Sequence, residues 1–220
     1  MTVAVGGLGL LFSGSAAAHD FFLVPEGFVG TSGRPLIVHA TSSSDFPALN
    51  VASPPTRVAE VRAVVGGRSA AVEVREKGAK SLLLAVSSDT PGMGVVTLQT
   101  IWGESSWKPE MVDTYLEEHP FKAEEVATVR RLLPKGETLQ IRSRRLAKTL
   151  VCVQVCTPPT QAAAGLEVEL VPEFDAAGTS PVRVQLLRNG RSLAAHPVTM
   201  RTAHGKRQNL LTDSEGWVRL

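Results

Sequence analysis

Long hydrophobic runs are scarce in this 220-residue chain, and beyond its first dozen residues none reaches the ~18 needed for a membrane-spanning helix. Charge of one sign is also missing: 23 Lys and Arg stand against 21 Asp and Glu, a net +2, so there is no field of the kind that draws nucleic acid. Two cysteines are too few for a disulfide-stapled miniprotein. Aromatics make up 5% of the chain, with one tyrosine. Catalytic signatures are lacking too: there is no Gly-x-Ser-x-Gly elbow, no His-Glu-x-x-His pair and no glycine-rich loop between a strand and a helix. The expectation is a non-enzyme. What is present, 43% hydrophobic residues with 19 Gly and 14 Pro, is the composition of a globular domain.

The first segment has a different character. Val3 to Phe12 is apolar, and Ala16 and Ala18 supply the small residues at −3 and −1 that a signal peptidase requires, although no Lys or Arg precedes the run. Residues 1–18 therefore read as a signal peptide, and the mature chain as exported, periplasmic or secreted. Cleavage after Ala18 would make His19 the first residue, where the terminal amine and the imidazole Nδ1 together chelate one ion. That chemistry suits a divalent transition metal: Ni, Co, Cu or Zn.

From Arg34 to Ile101 the chain reads as short strands: Pro35 to Ala40, Val58 to Val65, Val72 to Arg75, Leu82 to Val86 and Val95 to Ile101, with Gly66-Gly67 as a turn. Strands spaced about ten residues apart predict a β-sandwich rather than βαβ units. A helical insert follows at 105–135, with Glu104-Ser105-Ser106 as a loop before it. Met111/Tyr115 and Val112/Leu116 repeat at i, i+4 behind Pro109, and Val126, Val129, Leu132 and Leu133 form a second stripe ending at Pro134. Leu146 to Val155 returns as a buried strand, completing a module over 19–156. Residues 157–165 read as a linker, and 166–220 as a second, incomplete sandwich module with strands at Leu166–Val171, Val182–Leu187, Ser192–Ala195 and Val198–Thr202. Asn189-Gly190 predicts a type I′ hairpin turn. Trp217 starts a strand as the sequence stops, which suggests that one or more closing strands are missing.

Several segments in this order carry a resemblance. They are Ala18-His19-Asp20-Phe21-Phe22-Leu23-Val24-Pro25, Gly33 to Val38, Asp45-Phe46-Pro47, the insert from Pro109 to Glu118, Lys148 to Val151, Leu166 to Pro172 and the turn Thr212 to Gly216. Together they resemble the DUF4198 family, whose members have been described as NikM-like nickel-uptake proteins of the periplasm. The resemblance implies Ig-like or transthyretin-like β-sandwich modules, export, and no established reaction. Phe22 stands where many members have Trp, and the two cysteines lie outside the family pattern.

Five histidines supply the candidate ligands, and none is spaced to place two imidazoles on one helix face. His39 sits on a predicted strand that the N-terminal segment would reach by pairing, so His19 with His39 forms the expected metal site, with Asp20 or Asp45 as a further oxygen ligand. His119, His196 and His204 read as structural or solvated. Cys152 and Cys156 lie four apart on one strand, about 13 Å apart. That exceeds the ~7 Å a disulfide spans, so two buried thiols are expected unless the strand breaks. Lys135, Arg142, Arg144, Arg145 and Lys148 have no interleaved aromatics and read as a solvated face. The reading is thus an exported binding protein of the DUF4198 type handling a transition metal, its partner the metal ion or an outer-membrane or transport component. No nucleic acid and no membrane span in the mature chain are expected. The alternative is a structural, carbohydrate-binding or protein-binding sandwich without metal.

Overall fold

The computed structural model describes residues 20–78, 80–118, 121–133, 138–156, 163–175, 181–203, 205 and 207–220. It is mainly β. The chain opens with β1 (Asp20–Pro25), β2 (Val29–Gly30), β3 (Leu36–Ser43), β4 (Val51–Ala52), β5 (Val58–Val65), β6 (Arg68–Lys77), β7 (Ser81–Ser87) and β8 (Gly92–Thr100). The pair β9 (Gly103–Trp107) and β10 (Leu139–Ser143) brackets helices α1 (Pro109–Glu118) and α2 (Ala123–Leu132), and β11 (Leu146–Val153) follows. The rest comprises β12 (Val168–Phe174), β13 (Pro181–Arg188), β14 (Arg191–Ser192), β15 (Pro197–Arg201), β16 (Arg207–Leu211) and β17 (Trp217–Arg219).

The first strands form one large sheet in the order β1-β3-β7-β6-β5-β8-β11-β2, with β4 beside β3. Strand β1 lies against β11, so the sheet curls until its two ends meet and becomes a sandwich around one core. Alternation supplies that core. Val38 and Ala40, Leu82, Leu84 and Val86, and Val96 and Leu98 each stand two apart on their strands and point inward together. Gly66-Gly67 closes the β5–β6 hairpin with φ of +54° and +78°, and a Cβ at Gly66 would strike the Pro91 carbonyl. Only glycine fits there.

The helices ride on the β9–β10 hairpin. Val112 and Leu116 are buried, as the α1 periodicity predicts, and Trp107 meets Tyr115 edge-on at 5.0 Å. An Arg130–Asp113 ion pair ties α2 to α1, while the apolar stripe of α2 is only half-covered and Leu132 is exposed. Residues 104–106 are strand rather than loop: they have no β-branched side chain, and their pairing with β10 decides the matter.

The last strands form a small sheet of β12, β13, β14 and β17 and a separate β15–β16 hairpin. Asn189 and Gly190 both have positive φ, +51° and +73°, the two left-handed residues a type I′ turn demands. Of the predicted strand Ser192–Ala195, only Ser192 belongs to a strand, because Ala195 turns at φ +52°.

The cysteines correct the sequence reading. Strand β11 stops at Val153, since Gln154 takes a left-handed φ of +58° while its N–H donates to Gly30 O. This break returns the chain on itself, brings the two Cα atoms to 5.3 Å, and Cys152 and Cys156 form a disulfide.

Candidate functional site

His39 is buried on β3 and has both ring nitrogens engaged: Nδ1 is 2.9 Å from Ser81 Oγ and Nε2 is 3.0 Å from Glu26 Oε1. With Nε2–H donating to the carboxylate and Nδ1 accepting the hydroxyl proton, a neutral imidazole is fully satisfied. An incoming metal ion would have to displace one of these partners. The β1–β3 register sets Val24 opposite His39 and Asp20 opposite Ser43. Four strand residues, about 13 Å, therefore separate the level of Asp20 from that of His39. Asp45 lies beyond Ser43 on the Asp20 side, and Asp20 faces Arg201 at 3.6 Å. The structure thus brings neither carboxylate to His39. His19, His119, His204 and Lys135 lie outside the described residues. Among the described residues, no group of three or more His, Cys, Asp or Glu side chains is arranged to hold a metal ion.

A different site forms where the two ends of the large sheet meet. Strands β1 and β11 make the seam, and β12, β13 and the β15 hairpin lie over it. Between them runs a groove of about 490 Å³ whose walls include Phe21, Phe22, Lys148, Leu170, His196 and Val198. Its character is apolar, with one buried ion pair. Lys148 Nζ, on β11, lies 3.0 Å from Glu169 Oε2, on β12, with the two side chains 11% and 2% exposed. Glu169 also accepts from the backbone N–H groups of Ala164 (2.8 Å) and Gly165 (3.0 Å). A buried carboxylate is tolerable only with such partners. Burial holds the Lys148 ammonium below the usual lysine range, against the opposing pull of the Glu169 hydrogen bond and charge. His196 enters as a strand-end residue: its N–H donates to Thr212 Oγ1 at 2.8 Å, and the Thr212 N–H donates to its carbonyl.

Sequence reasoning missed this site for a specific reason. Within Val168-Glu169-Leu170 the period-two rule would put the apolar pair inside and the glutamate outside. The structure does the reverse: Glu169 is buried, and Val168 and Leu170 stand 38% and 39% exposed. A carboxylate flanked by apolar residues on a short strand was the available signal.

Residues 16–220 match the family described as a domain of unknown function, DUF4198. The chain belongs to this family. None of the curated proteins and none of the solved structures match it. In this DUF4198 chain the conspicuous pieces of the resemblance divide between scaffold and groove. Leu36 and Val38 sit in the core, whereas Phe21-Phe22, Lys148, Leu166 and Val168 to Leu170 meet at the junction. Among the described residues no helix is long and apolar enough to cross a membrane.

Proposed function

We propose that this DUF4198 protein is an exported, non-enzymatic binding module, and that its ligand seat is the groove between the large sheet and the strands that follow it. One observation carries the reading: an apolar concavity at the meeting of two β units, with an ion pair and a histidine at its wall. Binding sites favour such junctions, where a mostly apolar surface has a few fixed polar groups. The depressed lysine is a further mark of a site, because desolvated charge clusters where function needs it. The fitting ligand is small and amphipathic, with an apolar body for Phe22, Leu170 and Val198 and a polar end for His196 beside the Lys148–Glu169 pair. The Cys152–Cys156 bridge supports export, since structural disulfides persist mainly in oxidising compartments.

The experiment is titration with 8-anilinonaphthalene-1-sulfonate, an apolar body with one anionic group. Saturable one-to-one fluorescence enhancement of the native protein, lost in Val198→Arg, supports the reading. Enhancement that never saturates, or is unchanged in that variant, rejects it. Metal handling through the His19 amine and imidazole is the competing reading, favoured by the Ala16–Ala18 cleavage register. Native mass spectrometry after Cu, Ni, Co and Zn are offered in turn decides it. Stoichiometric metal abolished by His19→Ala supports it, and a metal-free chain rejects it.

A further inference from the structure

The basic cluster 142–148 has an aromatic partner that is remote in sequence. Strand β8 leaves the large sheet through Thr100-Ile101-Trp102. On one side the Ile101 N–H donates to Arg57 O at 2.9 Å, and on the other the Thr100 N–H donates to Arg145 O at 3.0 Å. This ladder fixes arginines on both flanks of the departing strand. The Trp102 indole, 48% exposed, has the Arg142 guanidinium carbon 5.1 Å and that of Arg144 5.0 Å from its ring centre. The Arg57 guanidinium lies over Gly103, where a Cβ would collide with it. Arg57 also helps push the Arg145 guanidinium down, after burial, so these two like charges feel each other. Of the four arginines, only Arg144 has a carboxylate partner among the described residues, Glu167. Arg142 stands opposite Glu104 in the β9–β10 register, yet the two form no ion pair, whereas guanidiniums ordinarily pair with a neighbouring carboxylate.

Arg144 also belongs to a concavity of about 550 Å³ that adjoins the groove at Leu166 and has Gln99, Glu167 and Asn189 on its walls. Glu60 holds the Gln99 side-chain amide at 2.9 Å, Arg144 holds the Glu167 carboxylate, and the backbone bond from Asn189 N–H to Glu167 O at 2.7 Å fixes the main chain beside them. Planar amides, a carboxylate and a guanidinium around a hollow offer paired donors and acceptors to vicinal hydroxyls, and the exposed part of the indole beside them offers apolar contact to a sugar ring. Unpaired guanidiniums at the rim favour carboxylates on the same ligand.

We infer that the Gln99–Arg144–Glu167–Asn189 hollow and the Trp102–Arg142–Arg57 rim form a binding site for an acidic, uronate-bearing oligosaccharide. Hydroxyls of one residue enter the hollow, and a neighbouring carboxylate meets Arg142 and Arg57. Apart from the shared Leu166 wall, the site is separate from the groove and from whatever the groove binds.

The test is calorimetric titration of the full chain with oligogalacturonate, maltooligosaccharide, inorganic phosphate and anionic phospholipid vesicles as separate probes. Oligogalacturonate should bind, more weakly at high salt, with maltooligosaccharide much weaker and phosphate alone not competing at equal concentration. Trp102→Ala should weaken binding about tenfold, the size of a partly desolvated cation–π and stacking platform. Arg142→Gln, a change at an exposed side chain, should lower the preference for the acidic over the neutral oligosaccharide. A purely structural arginine would leave that ratio unchanged. If Trp102→Ala fails to fold, Trp102→Phe with Arg142→Gln still decides the matter. No oligogalacturonate binding, equal binding of the neutral sugar, full competition by phosphate, binding to vesicles in place of the sugar, or affinity indifferent to both substitutions would each overturn the inference.

Discussion

The large sheet and the strands after residue 163 are stabilised in different ways. The large sheet buries leucines, valines and alanines from β1, β3, β5, β7, β8 and β11 in one cluster, several of them with no exposed surface. Among the described residues from 163 onward, the buried apolar side chains are Leu166, Leu186 and Val218, and two of the buried residues, Glu169 and Thr212, are polar. The first region is ordered by its own apolar area. The second is ordered by turns, by Thr212 bonding to Leu193 O and His196 N, and by its seat on the first region through Lys148–Glu169. A region with little core of its own opens at lower free energy than its neighbour, and binding surfaces are drawn from such regions.

The sharpest way to break the comparison is to damage the dominant core. Leu84→Ala or Leu98→Ala removes a fully buried side chain from the shared cluster and should cost about 3–5 kcal/mol of global stability. Urea denaturation checks it, and a loss below about 1 kcal/mol would show that the cluster is not the main source of stability.

Next in size is the junction. Lys148→Met leaves Glu169 buried with its two backbone donors, so the expected cost is about 3 kcal/mol, the lower end for a broken buried pair. The pH dependence has a definite sign. Because burial lowers the folded-state pKa of Lys148 below the unfolded 10.5, the unfolded chain binds the extra proton between the two values. This lysine's contribution to stability therefore rises as pH climbs through the folded pKa toward 10.5, and the substitution removes that rise. Chemical denaturation at a series of alkaline pH values reads it.

The disulfide comes third. It closes a loop of sequence separation 4 at the point where Cys152 and Val153 pair with Val29 and Gly30. Replacing both cysteines by serine should cost about 2 kcal/mol by loop entropy. The unreduced native protein should take up no iodoacetamide, and two alkylated cysteines by mass would refute the bridge.

The smallest effect is spectroscopic. Tyr115 is the one tyrosine of the chain, and burial, then the nearby Asp20 charge, raises its pKa above 10.0. Ultraviolet titration should give a midpoint above that value, and Asp20→Asn should bring it part of the way down. The stability this phenol contributes is present below the unfolded value of 10.0 and falls as pH rises from there through the folded pKa.

The scaffold was largely legible in the sequence. Val58–Val65 is a strand whose alternation matches one buried face, Leu82–Val86 and Val95–Thr100 are strands buried almost continuously on both faces, and Asn189-Gly190 turns as its dihedral preference requires. Strand β16, Arg207–Leu211, carries no such pattern, and pairing with β15 makes it a strand. The disulfide was hidden because residue spacing along an unbroken strand forbids it. One left-handed residue, Gln154, removes that assumption. The basic cluster lacks an aromatic in sequence because Trp102 lies some forty residues upstream and reaches it through the pairing of β9 with β10, which sets Gly103 opposite Ser143. Glu169 was misleading because its burial depends on a lysine supplied by another sheet. Local pattern encodes strands and turns, while the groove arises from tertiary pairing.

The most direct test of this account is hydrogen exchange, followed by mass spectrometry, on the wild-type protein and Lys148→Met under native conditions. The account predicts that amides in β12, β13 and β15 exchange faster than those in β3, β7 and β8 of the wild type. It further predicts that the substitution accelerates the first group selectively and leaves the second group unchanged. Uniform acceleration across both regions, or no change in either, would contradict the claim that the buried ion pair seats the second region on the first.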